Sequence, residues 1–348
     1  MKNLLTFLAL SSLLSVTAHA APINLSILGP ASTDSIFNIE GPTNVCIGLV
    51  HCGSETLKGL TVSFVLNTVT ESADGIALAL GVNSIQGDGR GLQVGLLSNV
   101  NVGDFSGIQV GSYNVTYGER LRGAQIGFFG NYNGGRADAS QLSFFSNVQT
   151  DSMTGVQVSL VNVIAAGEEE KADNQDHPFA LQLGLVNVST QENVVAVGFV
   201  NVIKGGRLGL SLDTGVFGQN RISLVSGSKY FYSILHLDDY VLNPNMKNKY
   251  HRTRSSVQSI GLGLAVPVTE KIAVRLEYSE HSPTNYNRDS GNLWRLLGEY
   301  EINSFLAGHA GVERFRFKDR YFSSALSENQ DNYAFTAGVS FNFIGAWH

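Results

Sequence analysis

The sequence predicts an all-β chain, and three observations carry that prediction. Glycine is abundant at 38 residues and proline scarce at 7, while helix-favouring runs at 3.6 spacing are absent over most of the chain. A unit recurs every sixteen residues through the middle, marked by Gln93, Gln109, Gln125, Gln141 and Gln157. Toward the C-terminus, side chains alternate apolar and polar with the period of two that belongs to a strand covered on one face.

Taken from the N-terminus, residues 1–20 read as a secretory signal: Lys2 supplies the positive region, Leu4 to Val16 the short apolar run, and Ala18-His19-Ala20 the A-x-A cleavage site. Export follows, with a mature chain that begins at Ala21. Residues 21–58 form an N-terminal segment that holds both cysteines of the chain, Cys46 and Cys52. In the oxidising compartment that a secreted chain meets, the two are expected to pair as a disulfide. With only His51 nearby they make a poor metal site.

Residues 59–204 carry the repeat. Its units read GLQVGLLSN from Gly91, GIQVGSYN from Gly107, GAQIGFFGN from Gly123, SQLSFFSN from Ser140 and GVQVSLVN from Gly155, with fainter copies around Thr61, Ala77, Gln182 and Ala196. Leu92, Val94 and Leu96 point one way and Gln93, Gly95 and Leu97 the other. About nine strand residues and about seven turn residues fill each period, and about nine to eleven is the length of a tilted transmembrane strand. On that reading Val94, Ile126 and Val158 touch lipid, and Gln93, Gln109, Gln125, Gln141, Gln157 and Gln182 face a lumen. The alternative is a parallel β-solenoid, in which the Gln and Asn residues stack as ladders.

Residues 205–348 show the sharper alternation. Ile260, Leu262, Leu264 and Val266 oppose Ser259, Gly261, Gly263 and Ala265, and Ile272, Val274, Leu276 and Tyr278 oppose Ala273, Arg275, Glu277 and Ser279. The connections Val268 to Lys271 and Asn303-Ser304 are short. Asp238 to Arg254, Ser282 to Asn292 and Lys318 to Asn332 are long and polar, the division seen in outer-membrane barrels. With Arg221 to Leu237 taken as one long strand, the count from Leu60 is about sixteen, and a turn at Ser226-Gly227-Ser228 changes it. The expected fold is therefore a transmembrane antiparallel meander β-barrel of about 16 strands, the alternative being a β-solenoid followed by a small β-barrel. Arg275, Glu277, Arg295, Glu299 and Glu301 fall opposite the apolar rows, with His309 and Glu313 close by in sequence. They either line a pore or close it as a buried ion-pair network.

Two resemblances add to this reading. The last strand, with Tyr333, Phe335, Val339, Phe341 and Phe343 in alternation, resembles the C-terminal assembly signature of outer-membrane barrels, although Ile344 to His348 follow it. The units G-x-Q-x-G-x-x-N, over about Gly59 to Lys204, resemble those of bacterial surface-repeat proteins. That resemblance implies a cell-surface or outer-membrane location and no particular activity.

The formal net charge of -6 argues against a nucleic-acid partner held by phosphate contacts. No G-x-S-x-G elbow, H-E-x-x-H helix or Walker loop is present, and no cofactor or metal is implied. Ser279 and His281 share a face within Glu277 to Ser282, an arrangement that resembles small lipid-A-deacylating barrels, but a histidine at a loop end is ordinarily solvated. The expectation is a non-enzymatic outer-membrane barrel, either a passive channel or a surface-exposed structural protein. An exported surface-binding solenoid stands second and a lipid-modifying barrel enzyme third. The partners expected are outer-membrane lipid and, during biogenesis, the barrel-assembly machinery.

Overall fold

The computed structural model describes residues 23–28, 31–33, 42–167, 178–215, 220–240, 255–283, 291–317 and 331–343. The signal segment, the acidic insertion at 168–177 and most of the three long polar connections lie outside the described residues. Among those described, no helix is long and apolar enough to cross a membrane. The chain divides into two compact units, Met1–Gly118 and Glu119–His348.

The first unit contains β1 (Ile23–Leu28), β2 (Ala31–Ser32), β3 (Thr43–Gly48), β4 (His51–Ser63), β5 (Leu66–Ala79), β6 (Val82–Ile85), β7 (Asp88–Asn101) and β8 (Phe105–Thr116). From β3 onward each strand pairs in parallel with the equivalent residues of the next repeat, so that Gly59 sits beside Gly75, Gly91 beside Gly107 and Gln93 beside Gln109. This is a β-solenoid: one sixteen-residue repeat is one coil, and successive coils stack along the ladder. In this unit the glycines two places before Gln93 and Gln109 let one coil lie close on the next. Gly107 has φ +147, and a Cβ there would lie 1.9 Å from the Gly91 carbonyl oxygen of the coil beneath.

The coil interior explains the disulfide. Cys46 stands in register with Thr61 and Ala77, in the column that Gln93 continues, whereas Cys52 stands in register with Asn67, which heads the Asn column. One coil later the hydroxyl of Thr61 donates to Asn67 Oδ1 at 2.9 Å. The Cys46–Cys52 disulfide is the covalent counterpart of that cross-coil contact, made in the first complete coil, and both cysteines are buried. Closing so short a loop restricts the unfolded chain by about 2 kcal/mol. Replacing both cysteines with Ser is expected to lower the stability of this unit by that amount, and reduction of the native protein should produce the same shift in urea unfolding. Identical oxidised and reduced unfolding midpoints would remove the disulfide from the stability of the coil.

The second unit opens with the same architecture: β9 (Arg120–Asn133), β10 (Arg136–Ser143), β11 (Ser146–Gln149), β12 (Met153–Val158), β13 (Val161–Ile164), β14 (Ala180–Leu183), β15 (Val186–Ser189), β16 (Val194–Val197) and β17 (Val200–Ile203). Gln125, Gln141, Gln157 and Gln182 stand in one parallel register, and Asn131, Asn147, Asn162, Asn187 and Asn201 in another. The sixteen-strand meander is therefore not formed. The repeats do not reverse direction as hairpins; each lies directly on the one before it.

After three connecting residues the same unit continues as β18 (Arg207–Gly215), β19 (Asn220–Gly227), β20 (Phe231–Tyr240), β21 (Ser255–Pro267), β22 (Ile272–Pro283), β23 (Gly291–Glu301), β24 (Leu306–Phe317) and β25 (Asp331–Asn342). Neighbours pair antiparallel, and β18 pairs with β25 to close an eight-stranded barrel. The stretch Arg221 to Leu237 is two strands rather than one. Ser228 accepts and donates hydrogen bonds with the backbone of Phe231 and so fixes the tight turn between β19 and β20. Two further turns at this end, around Thr269 and Asn303, are held the same way by side-chain oxygens that accept from backbone N–H groups.

Candidate functional site

The barrel is inverted relative to a water-soluble one. Leu212, Ile222, Leu237, Ile260, Leu262, Leu264, Val274, Leu276, Trp294, Leu296, Val312 and Phe335 are exposed on the outside. The alternate positions point inward and are mostly polar: Ser211, Asp213, Arg221, Ser223, Tyr232, His236, Ser259, Arg275, Glu277, Arg295, Glu299, His309, Glu313 and Thr336 are all buried, with Val225, Ile234, Leu293 and Leu297 as apolar residues among them. An eight-stranded barrel encloses about the space its own side chains fill.

Those side chains form one connected ion network. Arg295 is its centre, with its guanidinium 2.7 Å from Asp213 Oδ1, 2.8 Å from Glu277 Oε2 and 3.6 Å from Glu313 Oε2. Arg275 pairs with Glu277 and, at 2.7 Å, with Glu299, which also takes Arg207 at 2.7 Å. Arg221 pairs with Glu313 at 2.9 Å, and His309 with Asp213. Tyr232 binds both signs of charge: its hydroxyl donates to Glu277 at 3.0 Å and accepts from Arg275 Nε at 2.8 Å.

Two features of this network decide what the barrel can do. Arg295 on β23 reaches Asp213 on β18, and Arg221 on β19 reaches Glu313 on β24. Neither pair joins neighbouring strands, so these links run across the lumen and occupy it. Among the described residues the network also balances, with Arg207, Arg221, Arg275 and Arg295 against Asp213, Glu277, Glu299 and Glu313. Pairing of charges of both signs is the condition under which ions survive in a protein interior, although Arg295 Nε, 3.6 Å from Glu313, lies beyond hydrogen-bond distance.

The barrel thus brings together Arg275, Glu277, Arg295 and Glu299, and adds His309 and Glu313. Glu301 ends β23 exposed at the short-turn end. Asp213, Arg221, Arg207 and Tyr232 complete the network without having been singled out in the sequence. Asp213 and Arg221 were legible as the polar partners of Leu210, Leu212 and Ile222, Leu224 in alternation. Splitting β19 from β20 was needed to see that Tyr232 points inward. Gln93, Gln109, Gln125, Gln141, Gln157 and Gln182 are in no barrel lumen: they are buried inside the coils. There Gln109 donates to Gln93 at 2.7 Å in the first unit, and in the second Gln182 donates to Gln157, Gln157 to Gln141 and Gln141 to Gln125 at 2.7 to 2.8 Å. Asn147 shows why the parallel Asn column is so regular. Its amide donates to Asn162 Oδ1 and to the carbonyls of Gln141 and Val158.

Ser340 Oγ lies 3.2 Å from His309 Nδ1, and the other ring nitrogen meets Asp213, which gives the order hydroxyl, imidazole, carboxylate. That carboxylate is already bound by Arg295 and by the Ser211 hydroxyl, so it serves the network. Ser279 is buried in the barrel, while the side chain of His281 lies outside the described residues. Among the described residues no group of three His, Cys, Asp or Glu side chains is placed to hold a metal ion. No protein-family model matches the chain, and no curated protein matches it in sequence.

Proposed function

We propose that this protein is an outer-membrane component whose eight-stranded barrel is a closed anchor for the β-solenoid, not a conduit for solutes. The observation that carries the reading is the inversion itself. An apolar exterior around an ion-paired polar interior is the arrangement favoured where the outside meets hydrocarbon. The ion pairs that cross from β18 to β23 and from β19 to β24 support a closed lumen, because they place charged side chains across the path a hydrated ion would take. On this reading the strand ends away from the short turns, such as Gly215, Tyr240 and Phe317, face the exterior of the cell, and the short turns face the periplasm.

Folded protein reconstituted into planar bilayers is expected to give no conductance above the lipid background at moderate voltage, while an unheated sample migrates differently from a heated one in detergent electrophoresis. A reproducible ohmic pore formed by the folded species would overturn the closed-anchor reading. Absence of any folded, heat-modifiable species in membranes would overturn the barrel's placement in lipid.

A further inference from the structure

We infer that the solenoid coils are themselves seated in the lipid leaflet, with one edge of the stack in the hydrocarbon and the opposite edge in the headgroups. The inference rests on the barrel being a membrane anchor and extends it to the other half of the chain.

A soluble solenoid hides its apolar side chains and shows its polar ones; this one does the reverse near one edge. In the second unit each coil turns that corner on exposed apolar residues: Phe128 and Phe129, Phe144 and Phe145, Leu160 and Val161, then Leu185 and Phe199. Their exposure is large, 60% for Phe128, 58% for Phe144, 56% for Leu185 and 52% for Phe199. The rings form a ladder, Phe128 stacked on Phe144 at 6.2 Å and Phe129 on Phe145 at 5.7 Å. The first unit repeats the pattern at Phe64, Leu80 and Leu96. A contiguous exposed apolar surface of this kind marks a site of membrane or protein contact.

Three features select lipid over a second protein chain. First, the apolar surface is not a single stripe. Outward residues on both flanks of the corner are aliphatic or aromatic, Ile126, Leu142, Val158 and Leu183 on one and Tyr132, Val148, Val163 and Val188 on the other, so a partner would have to wrap three sides. Second, among the described residues of this unit's coils charge lies at the opposite edge, at Arg120, Arg122, Arg136, Asp138, Asp151, Glu192 and Lys204, which is the segregation of an element lying in an interface. Third, the dimensions agree. From Ser140 at the polar side to Phe144 at the apolar corner is four residue steps, about 13 Å of strand, against about 15 Å for half of a hydrocarbon core.

The backbone and the interior permit it. Parallel pairing from coil to coil uses the N–H and C=O groups within the stack, and the Gln and Asn ladders pair the interior amides, so hydrocarbon meets no orphaned polar row along the coils. The last coil is held at the barrel: Asn201 Nδ2 donates to Ser226 O at 3.2 Å and to Ser233 Oγ at 3.1 Å, and only residues 204–206 separate β17 from β18. These bonds hold the last coil against the barrel.

The test places one environment-sensitive thiol label on the full chain at Phe144→Cys, Asp138→Cys or Leu262→Cys, with Cys46 and Cys52 left oxidised, in phosphatidylcholine vesicles with and without chain-brominated lipid. The expected result is bromolipid quenching at Phe144→Cys comparable with that at Leu262→Cys on the barrel exterior, and iodide quenching at Asp138→Cys alone. Quenching at Leu262→Cys with Phe144→Cys open to iodide would overturn the inference and leave the barrel in the membrane. A Phe144→Cys label shielded from both quenchers would assign the corner to a second chain instead. No bromolipid quenching at Leu262→Cys would remove the membrane anchor, and this inference with it.

Discussion

Arg295→Leu is expected to be the most damaging single change in the barrel, at about 3 to 5 kcal/mol, the range seen when one member of a buried ion pair is removed. The guanidinium holds Asp213 and Glu277 directly and lies 3.6 Å from Glu313. Without it the four arginines and four carboxylates of the network are left with one carboxylate in excess, and Asp213 keeps only His309 and Ser211 as close partners among the contacts described above. The measurement is the urea midpoint of the loss of unheated gel mobility in detergent or lipid. A second variant separates loss of charge balance from loss of packing: Arg295→Leu combined with Glu277→Leu removes one charge of each sign. It should be less destabilised than the two single changes added together, because each single change strands the other's partner. An Arg295→Leu midpoint equal to that of the native protein would mean the network is not what fills and holds the barrel.

The C-terminal strands were legible because alternation is a local signal. Ile260, Leu262, Leu264 and Val266 lie on the outside of β21 as their spacing indicates, and Arg275 and Glu277 lie inside β22. What alternation does not encode is the identity of a strand's neighbour. A sixteen-residue period with about nine strand residues suits a hairpin meander and a solenoid coil equally, and the apolar face points outward in both, so composition did not separate them. The distinguishing signal was the strictness of the repeat. In a meander consecutive strands run in opposite directions, so a Gln at the same point of each repeat meets no Gln. In a parallel stack it meets one on every rung, and the amides bond one to the next, as Gln141 does to Gln125 and Gln157 to Gln141. Only that geometry gives a reason to keep both the residue type and the interval. The turn at Ser226-Gly227-Ser228 was visible, yet Arg221 to Leu237 still read as one long strand because Leu224 and Val225 run into the reversal and Ile234 and Leu235 out of it, so the apolar content hardly falls across it.

Gln141→Arg should unseat the coil stack, with a cost of several kcal/mol that exceeds the roughly 1 to 3 kcal/mol expected for Gln141→Leu. Gln141 is fully buried, donates to Gln125 Oε1 at 2.8 Å and accepts from Gln157 Nε2 at 2.7 Å. Leucine at this position fits roughly the same volume but leaves an oxygen above and an amide below without their ladder partner. Arginine does the same and adds a charge, and no acidic side chain stands in the Gln or Asn columns on either side of it. On the meander reading the same residue faces a wet lumen and tolerates arginine, so this substitution separates the two folds at one position. Limited proteolysis of membrane-reconstituted protein reads the coils, and the heat-dependent gel shift reads the barrel in the same sample. The expected outcome is cleavage within residues 120–203 at protease concentrations that leave the native chain intact, ranked Gln141→Arg above Gln141→Leu. Native protease resistance in both variants would show that the Gln column does not hold the coils together.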